Sequence, residues 1–293
     1  MPTAQAILYT ILWASAAVAT KIGLRAAPPL ILASVRFSLA GLLLLGFGAV
    51  RGWPLVPPRD EWTAIGILGA LNTTVYLGAT FLALRVVSAG LFNLFVAINP
   101  LVVLILEQVW LKHALSPYQW WGLGVSVAGL AIGSWQAVTA SHAPLWGIAL
   151  VVGGQIAMAV GSVYFHVARV SVSGPVLNTW QLLVGSVLLW PVALALETPQ
   201  AVVLNGAWWG SLVWLVLGVS IGAMLLWFHL LRVGASQASL WLMLTPVVGY
   251  GLGWIVLREP IGIRGAAASL IVIAGVGIAS EYGQRRRRRM LAS

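Results

Sequence analysis

Apolar residues run along this chain in long unbroken blocks rather than alternating with polar ones. Ten blocks stand out, at 4–22, 29–50, 62–84, 89–110, 118–137, 145–168, 175–197, 208–231, 235–257 and 262–282. Each is close to the roughly 20 residues that take an α-helix across a bilayer. Turn-forming residues separate them, among them Ala27-Pro28-Pro29, Ser116-Pro117, Ser173-Gly174-Pro175 and Glu259-Pro260. A membrane barrel would instead alternate apolar and polar positions over about 10 residues. Hydrocarbon offers backbone N–H and C=O groups no partner but each other, and a helix pairs them within one segment. The pattern predicts an all-α polytopic membrane protein with ten transmembrane helices.

Composition removes the rivals. Only 8% of the residues are charged, against roughly 25% in ordinary soluble domains. That is too little polar surface for a soluble enzyme, a nucleic-acid-binding protein or a disordered chain. The net charge of +10 comes from 16 Lys and Arg against six Asp and Glu, and five of the arginines form one run, Arg285 to Arg289. Beside the last apolar block, such a run meets anionic lipid headgroups rather than nucleic acid. With an even number of helices, the run puts both termini in the cytoplasm. Arg51, Arg59, Lys112, Arg169 and Arg232 then fall on the same side, and Lys21, Arg25, Arg85, Arg258 and Arg264 on the outer side. Trp53, Trp62, Trp110, Trp120 and Trp208 sit near block ends, where interfacial aromatics belong. There are no cysteines, hence no disulfide, thiolate metal site or thiol nucleophile. The N-terminus lacks the positive stretch of a signal peptide, so the first block is expected to remain as a helix.

The sequence also repeats itself. At an offset of 146, Asn99-Pro100 falls on Thr245-Pro246, Leu111-Lys112 on Leu257-Arg258, and Ala128-Gly129 on Ala274-Gly275. An offset of 145 puts Lys21 on His166 and Arg36 on Gln181. The expected organisation is a five-helix repeat over 1–140, a second over 141–284, and a basic cytoplasmic tail over 285–293. An odd number of helices per half makes the halves enter the membrane from opposite sides. Such inverted repeats recur in transporters, whose sites lie near the midplane where the halves meet. Pro100 and Pro246 fall in the middle of the fourth and ninth blocks. Matched interruptions point to a hinge or transport site, while a plain packing kink is the other reading.

Particular motifs resemble a known family. Ile11-Leu12-Trp13-Ala14-Ser15 followed by Lys21, and Ala33-Ser34-Val35-Arg36-Phe37, resemble the first two helices of the EamA-type drug/metabolite transporter superfamily. Asn99-Pro100 with Leu111-Lys112-His113-Ala114-Leu115-Ser116-Pro117, and Thr245-Pro246 with Leu257-Arg258-Glu259-Pro260, resemble its two later signatures. The resemblance covers nearly the whole chain and is strongest to bacterial amino-acid and metabolite exporters of the YddG type. It implies alternating-access export of amino acids, including aromatic or other apolar ones, across an inner membrane. It also implies a cavity lined by helices 1, 3, 4, 6, 8 and 9. His113 stands where the family has a glutamate, which Glu259 keeps in the second half.

The polar residues inside the blocks carry the candidate chemistry. Asn72, Tyr76, Asn93, Asn99, Gln155, Tyr164 and Trp241 are the substrate-binding candidates. Amides could hold a zwitterion, and aromatic rings could wall an apolar side chain or face an ammonium group. Interhelical hydrogen bonding and simple packing are the competing roles. Arg36 and Glu107 are the candidates for a charge role: Arg36 for a substrate carboxylate or for snorkelling outwards, Glu107 for titration or interfacial pairing. No HExxH motif occurs, and the six carboxylates are scattered. A carrier rather than an enzyme is expected, monomeric, without cofactor or metal, with an amino-acid-like small molecule and membrane lipids as its partners. An exchanger of phosphorylated or nucleotide-linked metabolites is the alternative, and a membrane-embedded lipid-handling enzyme a more distant one.

Overall fold

A computed structural model describes residues 2–112, 115–139, 143–168, 170–233, 244–260 and 262–291. Helices account for its regular structure: α1 (Pro2–Gly23), α2 (Pro29–Val50), α3 (Trp62–Leu68), α4 (Gly78–Ala83), α5 (Ala89–Val96), α6 (Asn99–Leu111), α7 (Pro117–Thr139), α8 (Leu145–Ala168), α9 (Gly174–Leu196), α10 (Gly206–Val213), α11 (Met224–Val233), α12 (Thr245–Leu257) and α13 (Ile263–Leu291). Two π-helical segments, π1 (Gly69–Leu77) and π2 (Trp214–Ala223), join α3 to α4 and α10 to α11 without a break. Among the described residues, seven helical stretches are long and apolar enough to cross a membrane. Shorter apolar helices span Thr245–Leu257 and Ile263–Ala279. All ten expected blocks contain helix, but the first part of the block at 235–257 lies outside the described residues.

The two halves correspond in detail. α6 and α12 each have 13 residues and carry their proline, Pro100 or Pro246, in the first turn. There the missing N–H costs nothing, since first-turn donors have no intrahelical acceptor anyway. The expected mid-helix kink is thus a full break in the fourth block: α5 ends at Val96, and a turn at Ala97 and Ile98 precedes α6. Each of the two helices ends on a basic residue in the left-handed region, Lys112 at φ 54° and Arg258 at φ 59°. Non-glycine residues seldom adopt that conformation, and these two occupy the same place in the repeat.

Corresponding helices also pack against each other, running antiparallel. Glu197 at the end of α9 accepts hydrogen bonds from the N–H groups of Leu30 and Ile31 at the start of α2 (3.1 and 2.9 Å). Along α7 and α13 the order of contacts reverses: Gly122 faces Gly275 and Ala279, Gly129 faces Ile271 and Val272, and Gly133 faces Ala268. Glycine, serine and alanine let these backbones approach, which is how apolar helices gain contact where lipid removes the hydrophobic drive.

The loops gather at two ends. At one, the Val203 N–H bonds to the Ala26 carbonyl and Lys21 bonds to the Val87 carbonyl. At the other, Glu61 accepts from Ser171, and the Trp180 indole donates to the Leu55 carbonyl (2.7 Å). The core divides accordingly. One buried cluster joins α1, α5, α8 and α13, and a second joins α2, α9, α10 and π2.

A Cβ at Gly122 would lie 2.5 Å from the Gly275 carbonyl oxygen, whereas one at Gly124 meets nothing within 4 Å. Gly122→Val should therefore lower the melting temperature of the detergent-solubilised protein, by a loss of about 1–3 kcal/mol typical of overpacking. Gly124→Val should leave it within error. Equal effects would show that α7 and α13 do not pack through this face.

Candidate functional site

Thr20, Arg36, Thr80, Asn93 and Ser220, all buried, line one internal cavity of about 90 Å³. Ligand pockets run to roughly 300–1,000 Å³, so the bundle is contracted around this space. α1 supplies Trp13 and Thr20, α2 Arg36, α5 Phe92 and Asn93, and α9 Asn178 and Leu182. The π segments and their continuations bring Tyr76, Thr80 and Phe81 from one half, and Ser220 and Met224 from the other. π-Segments are rare and occur often at functional sites. Both of those seen here put residues on the cavity wall.

Arg36 dominates the electrostatics. It is 5% exposed. Its Nε donates to the Ser220 hydroxyl (3.2 Å), and its guanidinium carbon lies 5.1 Å from the Phe37 ring centre and 5.7 Å from that of Phe81. Cation–π contacts of this kind are worth about 0.5–2 kcal/mol each, which holds the fork in place without neutralising it. The Asn178 amide donates to the Ser220 carbonyl (3.3 Å), tying α9 to the same point. Among the described lining residues none is acidic.

Of the sequence candidates, Tyr76, Asn93 and Arg36 line the cavity. Asn93 spends its amide N–H groups on the Ala14 and Ala89 carbonyls (3.3 and 2.9 Å) and packs on Gly249 of α12. Gln155 and Asn99 lie off the cavity. The Asn99 amide donates to the Gln155 side chain and main chain (3.1 and 3.2 Å), just beyond the break that opens α6. Asn72 bonds to Gln181 (2.9 Å) rather than to the cavity. Tyr164 is elsewhere, packed with Ile65, Leu68 and Leu177. Trp241 lies outside the described residues. Glu107 is half-buried and makes no ion pair among the described residues.

Helices 1, 3, 4 and 8 line the cavity as expected; α8, the sixth, contributes no lining side chain among the described residues, and the ninth block lies partly outside them. The paired helices α2 and α9 line it as well. The reason is Arg36, whose charge has to face a cavity or polar groups rather than lipid. Thr80, Asn178 and Ser220 were not singled out from the sequence. A hydroxyl or amide within an apolar run carries no sign of the face it occupies.

Lys21 does not snorkel. Its ammonium donates to the Val87 carbonyl (2.8 Å) and pairs with Glu259 (3.3 Å). Both Glu259 carboxylate oxygens accept from the Ala89 N–H at the start of α5 (3.1 and 2.9 Å). A carboxylate at a helix N-terminus contributes about 0.3–1 kcal/mol, and up to about 2 when partly buried. One latch thus ties α1, α5 and α12 together at one end of the bundle.

A bundle of membrane-crossing helices in two corresponding halves, packed around a largely apolar cavity that carries a few polar groups, is the architecture of a solute carrier. The chain matches the EamA-like transporter family twice, over residues 3–135 and 145–280, and belongs to that family. It is a multi-pass membrane transporter. Among its relatives is the uncharacterized inner membrane transporter YedA of Escherichia coli strain K12, 30% identical over 91% of this chain and 86% of its own length. An uncharacterized transporter of Archaeoglobus fulgidus is 29% identical over 91% and 94%. The uncharacterized transporter YvbV of Bacillus subtilis strain 168 is 26% identical over 88% and 84%. One solved crystal structure superposes with a TM-score of 0.69 over 97% of this chain and 98% of its own, at 21% identity, and shares the fold.

The latch makes a measurable claim. Lys21→Met and Glu259→Ala should each destabilise the protein, and the double variant should cost less than their sum, with a coupling of about 0.5–3 kcal/mol. Strict additivity in a thermal-unfolding cycle would dissolve the latch.

Proposed function

We propose that this protein exports amino acids, including aromatic or other apolar ones, and similar small metabolites by alternating access. In this reading ten membrane-spanning helices form two inverted five-helix halves, 1–140 and 141–284. The protein works as a monomer in a bacterial-type inner membrane, with both termini and the basic tail, 285–293, in the cytoplasm. The observation that carries the reading is the antiparallel packing of corresponding helices, α2 on α9 and α7 on α13. When two like halves face in opposite directions, exchanging their conformations turns an opening at one end into an opening at the other. The break before Pro100 and the matching start of α12 at Pro246 supply the bending points. Tyr76 and Asn93 would meet the substrate, with Asn72, Asn99, Gln155, Tyr164 and Trp241 as further candidates. The inner membrane assignment is supported by the relative named for that location.

Purified protein in liposomes should give saturable uptake of at least one labelled amino acid from a panel, absent from protein-free vesicles. Lack of saturable flux across the panel would remove amino-acid export. Topology can be read directly, because the chain has no cysteine of its own. Gly52→Cys and Asn205→Cys should be labelled by an impermeant thiol reagent from opposite sides of right-side-out vesicles, Asn205→Cys from outside. Labelling of both from one side would contradict the inverted arrangement.

A further inference from the structure

We infer that Arg36 is the docking point for a substrate carboxylate, and that the cavity selects an apolar monoanion in which the carboxylate is required and an ammonium group is not. This rests on the reading that small solutes cross through this cavity.

Arg36 carries an unbalanced charge. A guanidinium stays protonated throughout the physiological range. Arg36 is nearly inaccessible, and its one hydrogen bond among the described residues goes to a neutral hydroxyl. The acids that could serve it are committed elsewhere. Glu197 caps α2 and Glu259 caps α5 while pairing with Lys21. An intramembrane cation is costly unless it is paired. Here the pairing is left to whatever enters the cavity.

Geometry sets the form of the partner. The planar fork is fixed by the Ser220 hydroxyl at Nε and by the Phe37 and Phe81 rings beside it. Its terminal nitrogens remain for the parallel pair of hydrogen bonds that a carboxylate accepts. Arg36 is the one basic residue among the described lining residues, so a phosphate dianion would keep a buried negative charge. Trp13, Phe92 and the Tyr76 ring offer apolar surface for the rest of the molecule. With no carboxylate among the described lining residues, an ammonium group finds amide and hydroxyl oxygens and aromatic faces but no countercharge. A zwitterion leaves the cavity at net positive charge, an amine adds a second cation, and a monoanion brings it to neutrality.

Three probes sharing one body separate these cases: 3-phenylpropionate, phenylalanine and phenethylamine, titrated against the purified protein in nanodiscs with tryptophan fluorescence as readout. The acid should bind saturably and at least as tightly as the amino acid, and the amine should not bind. Arg36→Gln should weaken the acid at least tenfold, and Ser220→Ala severalfold. The ligand-free melting temperature should stay level or rise in Arg36→Gln, because an unpaired buried charge has been removed. That sign distinguishes docking from a structural role, in which loss of Arg36 would lower it. If Arg36→Gln does not fold, the severalfold loss in Ser220→Ala decides the case. Binding of the amine as tight as that of the acid, acid binding indifferent to both substitutions, or no binding of the acid at all would overturn the inference. Saturable liposome flux of another solute would then leave the transport reading standing, and absence of all flux would take that reading down separately.

Discussion

The constraint beneath this structure is that hydrocarbon satisfies no polar group. Every backbone N–H and C=O within the membrane needs a partner from the protein itself. That demand makes helix the default, and it makes each departure from helix informative. At the turn of Ala97 and Ile98 the proline at position 100 removes one donor from the break, and Asn99 spends its side chain on Gln155. In π1 and π2 the backbone stays bonded while the winding changes. The Thr74 hydroxyl also gives the Gly185 carbonyl a second partner. The irregular backbone therefore lies between helices, where neighbours can complete it, and both π segments reach the cavity wall.

The same rule applied to charge explains the division of labour among the ionised groups. Glu197 and Glu259 sit at helix N-termini, where free N–H groups and the helix dipole stabilise them. Lys21 closes on one of these carboxylates and on a carbonyl. Arg36, the one buried Lys or Arg among the described residues, has no anion beside it. A latch made of satisfied charges and a cavity made of an unsatisfied one are complementary features. The first ties α1, α5 and α12 together at one end of the bundle, and the second is the basis of the docking proposal.

Much of this was legible in the sequence because it follows from local periodicity. Block length placed the helices, the 146-residue offset paired the halves, and Arg36, Tyr76 and Asn93 stood out as polar residues at membrane depth. What was illegible depends on tertiary contact. The π winding has no composition of its own. The Lys21–Glu259 pair joins residues from opposite ends of the chain. Tyr164 has the chemistry of a cavity aromatic but packs in a peripheral cluster with Ile65 and Leu177, since residue type says nothing of helix facing. Ser220 and Asn178 acquire a role only because α9 and π2 bring them to Arg36 and to each other.

Alternating access requires the two ends of the bundle to open reciprocally. Spin labels on cysteines at Arg25 and Val256 report one end, and labels at Trp110 and Val167 the other; all four positions are exposed. Pulsed dipolar distances in nanodiscs, taken in the parent and in a Glu259→Ala background, test the point directly. Releasing the latch should lengthen the Arg25–Val256 distance and shorten the Trp110–Val167 distance in the same samples. Distances that stay fixed, or that lengthen together, would contradict exchange between two inverted halves.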